Sequence, residues 1–194
     1  MVAPERIKVL QDRIARHDDQ LAYRELFTSL YSFLFHFACS LVKAKQPAED
    51  IVSDVFIRVW EKRKDLQDVM NLKVYLYVSV KNSAINYLNR QKQLLSDDIE
   101  NFRDQFMSIY FNPEQLMITA DMVGMIQAAI DELPSRCKII FKLVKEDNLR
   151  YREVAGILGI SEKTVENQVA IAVRRIAAAV NFDLSKSIPS PVVS

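Results

Sequence analysis

Lys163, Thr164, Glu166, Asn167, Gln168 and Arg174 are groups able to meet base edges or hold phosphate, and Arg152 adds a further phosphate ligand. To act together they must share the outer side of one helix, and the flanking residues supply that helix. An apolar face (Val154, Ala155, Leu158) runs into Gly159, which can adopt the positive φ of a sharp turn. Ile160 follows, then Ser161 as an N-cap, with Val165, Val169, Ala172 and Val173 as the next buried stripe. Ala155 is small where the two helices would cross. Two short helices around a Gly-containing turn form the helix-turn-helix pattern, whose second helix lies in the DNA major groove. The bland alternative is a helical hairpin with a solvated outer face.

A second set lies on a helix predicted from Leu72 to about Gln91. Tyr75, Ser79, Asn82, Asn86, Asn89 and Arg90 fall on one side, with Leu76, Val80, Ala84 and Leu88 on the other. Aromatic, amide and basic groups on one face suit single-stranded nucleic acid: rings stack on bases, amides meet base edges, cations meet phosphates. A polar face capping a bundle would look the same. A third set, Asp50, Asp54 and Arg58, lies outside a helix whose inner face is Ile51, Val52, Val55, Phe56, Val59 and Trp60. The spacing of Asp50 and Asp54 could begin a metal site, but nothing supplies the other ligands, so a protein-contacting face is expected.

Composition narrows the classes. The 194 residues include 49% hydrophobic and 26% charged, an ordinary globular balance with room for one or two domains. Only 3 Gly are present, and no Gly-rich phosphate loop or nucleophile elbow appears, so no catalytic role and no cofactor are expected. With 26 basic and 25 acidic residues the net charge is +1, so attraction to nucleic acid must come from local segregation. Lys73, Lys81, Arg90 and Lys92 form a basic stretch, and Asp97, Asp98, Glu100, Asp104, Glu114 and Asp121 an acidic one against Arg103. Cys39 and Cys137 read as buried free thiols, and His17 and His36 assemble no metal site. The N-terminus lacks a signal-peptide core, and the apolar run Leu30 to Val42 is too short to span a bilayer. A reduced, cytoplasmic protein without direct membrane insertion is expected.

Helical periodicity predicts an all-α fold of two domains. The first covers residues 5–92 and a linker covers 93–112. The second, 113–182, ends in the helix-turn-helix. The linker keeps Phe102, Phe106, Met107, Tyr110 and Phe111, which a free spacer would not need.

The order of parts resembles the extracytoplasmic-function group of bacterial RNA polymerase sigma factors, in a variant like that of Bacteroidetes members. YRELFTSLYSFLFHFACSLV resembles the opening helix of sigma domain 2. AEDIVSDVFIRVWE is similar to the segment that docks on the clamp coiled coil of the beta-prime subunit. NLKVYLYVSVKNSAINYLNRQK resembles the helix that melts and reads the −10 element, and ELPSRCKIIFKLVKEDNLRYREVAGILGISEKTVENQVAIAVRRI resembles sigma domain 4, which reads the −35 element. The resemblance implies core RNA polymerase (beta-prime clamp and beta flap) and promoter DNA as partners, and an anti-sigma factor, often membrane-anchored. It puts Asp50, Asp54, Phe56, Arg58 and Trp60 at clamp-facing or supporting positions and makes Arg63 to Asn71 the loop that pockets a flipped base. Asn82 matches the Asn of an "R-N" pair, with Lys81 for Arg. Tyr75 stands where many members have Trp, Asn86 and Asn89 replace Asp and Arg, and Glu166 stands where many have a basic residue.

The competing class is a transcriptional regulator that binds DNA without polymerase. Such proteins carry a receiver or ligand-binding α/β domain, and residues 5–92 show no strand periodicity.

Overall fold

The computed structural model describes residues 3–94 and 120–186. Every regular element among them is helical: α1 (Pro4–His17), α2 (Gln20–Val42), α3 (Lys45–Glu61), a 3-10 helix (Arg63–Asp68), α4 (Leu72–Leu94), α5 (Ala120–Asp131), α6 (Ser135–Lys145), α7 (Tyr151–Leu158) and α8 (Glu162–Lys186). The chain divides into two compact units, Met1–Met107 and Ser108–Ser194. From residue 95 the expected linker and its aromatic residues lie outside the described residues, as does the expected start of the second domain at 113.

In the first unit α2 packs against α1, α3 and α4. Its start is set by Asp19, whose Oδ1 accepts the Leu21 and Ala22 N–H groups at 2.9 and 3.0 Å while Oδ2 holds Arg13 at 2.7 Å. The Ala22 amide above all, then Arg13, keeps this carboxyl below the ordinary carboxylate range. Ala22, Leu26, Leu30, Leu34, Phe37, Ala38 and Val42 form the buried face of α2. By length and apolar composition alone α2, longer than the run Leu30 to Val42, would suffice to cross a membrane, a test that the core helix of a soluble protein also passes. That apolar face is instead buried in the helical core. Fully burying one such side chain stabilises by about 1.5–3 kcal/mol.

Aromatic rings tie α2 to α3. Phe56 is fully buried, with its ring 4.8 Å from Phe27 and 6.4 Å from Tyr23, and the Tyr23 hydroxyl donates to the Phe56 carbonyl at 2.9 Å. Burial raises the Tyr23 phenol above its usual value. On α4 the buried stripe is Leu72, Leu76, Val80 and Ala84, joined by Tyr77, which packs on Phe37 at 5.2 Å. The expected apolar face did not include Tyr77. Cys39 is half-buried, not fully buried as expected, and Cys137 is buried; both are free thiols raised by burial.

In the second unit α8 packs against α5, α6 and α7. Leu133, Cys137 and Ala172 form a core cluster backed by Phe141, Ile171 and Ile176. Gly159 ends α7 at φ 69°, ψ 42°, and its N–H reaches the Ala155 carbonyl at 2.9 Å. Ser161 Oγ accepts the Thr164 N–H at 3.1 Å, the N-cap predicted for α8. Two apolar positions differ from expectation. Ile157, not the half-buried Leu158, completes the inner face of α7 with Val154 and Ala155. Val173 is 47% exposed. At 3.6 residues per turn it lies about 80° around the helix from Val165, whereas Ala172 lies within about 20° of it. The stripe therefore continues through Ala172 to the partly buried Ile176.

Candidate nucleic-acid interface

The α4 face predicted for single-stranded DNA is solvent-accessible along its length. Asn71 Oδ1 accepts the Val74 N–H at 3.1 Å and starts the helix. Tyr75 is 40% exposed, Ser79 is half-buried, and Asn82, Asn86, Asn89 and Arg90 are exposed. Against this face α3 closes an open groove lined by Val55, Arg58, Val59 and Lys62 on one side and by Tyr75, Ser79, Asn82, Ser83 and Asn86 on the other. Its volume of about 240 Å³ falls below the roughly 300–1,000 Å³ of small-molecule pockets. An open trough lined by amides, hydroxyls and two cations suits a polymer strand better than an enclosed effector.

Arg58 belongs to this groove. It shares the exposed side of α3 with Asp50 and Asp54, but its guanidinium crosses to α4 and donates to Ser83 Oγ at 2.7 Å. Lys62 and Ser83 line the same groove and were not singled out from the sequence; only Lys62, opening the polar connection, carried a signal of charge. Asp50 and Asp54 are exposed on α3, and Asp50 accepts from Gln46 Nε2 at 3.0 Å. Among the described residues no three His, Cys, Asp or Glu side chains are grouped to hold a metal ion.

The connection from α3 to α4, read as a polar loop, contains the 3-10 helix and is held at both ends. Arg63 pairs with Asp18, stacks over the Trp60 ring at 4.7 Å and donates to the Trp60 carbonyl at 3.0 Å. At the other end Gln11 of α1 donates to the Leu66 and Val69 carbonyls at 2.5 and 2.7 Å. Sequence reading missed Gln11. Its signal was an amide flanked by Ile7, Leu10 and Ile14 on the inner side of α1.

On α8, Lys163, Glu166, Asn167 and Arg174 are exposed. Lys163 Nζ rests on Glu166 Oε2 at 2.8 Å, so its charge is partly matched before any DNA arrives. Thr164 and Gln168 are half-buried, with Thr164 Oγ1 2.8 Å from Ser161 Oγ. Arg174 Nε lies 3.4 Å from the Ala170 carbonyl, one turn back, and Arg152 is exposed on α7. The exposed front is therefore narrower than the predicted set.

Residues 26–93 match the family model of Sigma-70 region 2, and residues 124–176 match that of Sigma-70, region 4. The ECF RNA polymerase sigma-E factor of Escherichia coli (strain K12) is 26% identical over 172 residues, covering 84% of this chain and 87% of that protein. The ECF RNA polymerase sigma factor SigX of Bacillus subtilis (strain 168) is 27% identical over 156 residues, covering 76% and 75%. Two solved structures share the fold. The sigma factor RpoE in complex with the anti-sigma factor NepR, from Bartonella quintana, has a TM-score of 0.60 at 19% identity, covering 83% of this chain and 98% of that one. CnrH in complex with the cytosolic domain of CnrY has a TM-score of 0.55 at 18% identity, covering 92% and 99%. With both sigma regions in order along one helical chain, the protein belongs to the extracytoplasmic-function group of the sigma-70 family, factors that direct promoter-specific transcription by RNA polymerase.

Proposed function

We propose a division of labour within this sigma factor. The Asp50 and Asp54 side of α3 docks on core polymerase. The α4 face from Tyr75 to Arg90, with the groove cations Arg58 and Lys62, takes the −10 strand. The front of α8 (Lys163, Glu166 and Asn167, with Thr164 and Gln168 at its margin) reads the −35 duplex, while Arg174 and Arg152 hold phosphates. The observation that carries this reading is the α3–α4 groove, which joins amides, a ring and two cations in one open trough. Placing Arg58 there moves it from the polymerase-facing set to the DNA-facing one.

A net charge of +1 predicts weak binding to isolated promoter DNA, since each phosphate contact adds to a salt-sensitive total. Holoenzyme formation then pre-positions both DNA-reading units, an effective-concentration gain. The protein acts in the cytoplasm, where the polymerase is, and performs no catalytic step of its own. An anti-sigma factor holds it inactive, as suggested by the complex of RpoE with the anti-sigma factor NepR.

Three variants in reconstituted holoenzyme test the division. Asp54→Arg should keep helical circular dichroism and lose core binding in a pull-down. Asn82→Ala should bind core but reduce permanganate reactivity of the melted bases. Asn167→Ala should relax preference at one −35 position, a base contact being worth about 1–3 kcal/mol. Unchanged melting with Asn82→Ala, or wild-type core affinity with Asp54→Arg, would refute the corresponding assignment.

A further inference from the structure

Gln11 is only 1% exposed, within a buried helix face otherwise made of Ile7, Leu10, Ile14 and Ala15. A buried amide is destabilising unless its donors are matched. Here the Nε2 group serves two carbonyls, those of Leu66 and Val69. Both belong to the turn that leaves the 3-10 helix, where the Val69 N–H also reaches the Leu66 carbonyl at 3.1 Å. Met70 follows, 97% exposed, and Asn71 then caps α4. The turn thus meets α4 one turn before Tyr75, at the start of the DNA-facing side. α1 lies outside residues 26–93, so the region 2 match does not cover Gln11.

We propose that Gln11 is a positioning residue for promoter opening. It clamps the Leu66 and Val69 carbonyls so that the turn presents Met70, an apolar side chain suited to pack against an unstacked base, in one fixed shape beside α4. This rests on the −10 reading of α4 above. Without the clamp the turn samples other shapes, and only the competent fraction supports opening. The amide is chemically specific for the task. A carboxylate of the same size offers only acceptors to two carbonyl oxygens, whereas the protonated acid again has a donor. Burial and the two carbonyl dipoles would raise the pKa of such an acid, so its donor returns as pH falls.

The test measures open-complex formation by holoenzyme carrying Gln11→Glu, Gln11→Met or Asn82→Ala, each relative to wild type at the same pH, from about pH 6 to about pH 8. Core binding is measured in parallel. Gln11→Glu should bind core as wild type does yet open the promoter roughly tenfold more slowly at the alkaline end, recovering toward the wild-type rate as pH falls. Gln11→Met, which has no donor, should be slow throughout. Wild-type opening by Gln11→Glu at every pH, or a defect without acid recovery, overturns the clamp. A defect that follows loss of core binding also overturns it, because Gln11 would then serve only the fold. If Asn82→Ala lowers opening while the Gln11 variants do not, the clamp alone fails; if none of the three lowers it, the −10 reading fails with it.

Discussion

The elements that shape the start of α8 sit side by side in the chain. Gly159 turns it at φ 69°, Ser161 caps α8, and Val154, Ile157, Val165 and Val169 bury the adjoining faces. The groove of the first unit is gathered from afar. Arg58 and Lys62 come from the end of α3, Tyr75 to Asn86 from α4, and the turn between them is held by Gln11, 55 positions before Leu66. A surface built by neighbours tolerates distant damage and fails through its own caps. One assembled across four elements inherits every weakness of the core beneath it.

The largest expected effect breaks the first unit while sparing the second. Phe56 is fully buried against Phe27 and Tyr23, so Phe56→Ala should cost about 3–5 kcal/mol. Urea unfolding should register the loss, core binding should disappear, and amide exchange should quicken across α1 to α4 but not across α6 to α8. Equal quickening in both units would contradict the contrast between them.

A smaller effect probes the local device. Ser161→Ala removes the α8 cap and should cost about 1 kcal/mol. Affinity for −35 DNA should weaken alike for all sequences while base preference is retained, because the cap orders the helix without touching a base. A randomised −35 library transcribed by the variant holoenzyme measures both. An altered preference would make Ser161 a base-reading residue.

The smallest effect concerns a carboxyl in the second unit. Burial raises Glu146 above its usual value, with Lys142 opposing and Asp131 adding to the rise. The native state therefore holds this proton more tightly than the unfolded chain does. Its contribution to stability falls as pH climbs from the ordinary carboxylate value through the raised one, then levels off. Glu146→Gln should flatten that slope, so the variant gains relative to wild type as pH rises across the interval. Urea midpoints over a pH series should show a difference within about 0.5 kcal/mol, as befits a partly exposed side chain.

Much of the architecture was legible in the residues because helix signals are local. The spacing of Val165, Val169 and Ala172 marked the α8 face, and the same periodicity carried Val173 too far, since a stripe rotates away over two turns. The α4 polar face was readable for the same reason. The second wall of its groove was not, because no pattern in α4 tells which helix will lie beside it.

Sequence alone therefore determined the helices, the Gly159–Ser161 turn, the order of the two sigma regions and the polar sides of α4 and α8. These depend on backbone preference and on spacing within a few turns. Only the tertiary structure decided that Arg58 reaches Ser83, that Tyr77 packs inward on Phe37, that the α3–α4 connection coils as a 3-10 helix, and that Gln11 holds its far end. Each depends on a partner distant in the chain, and a buried donor finds its acceptor only once packing has brought the two together.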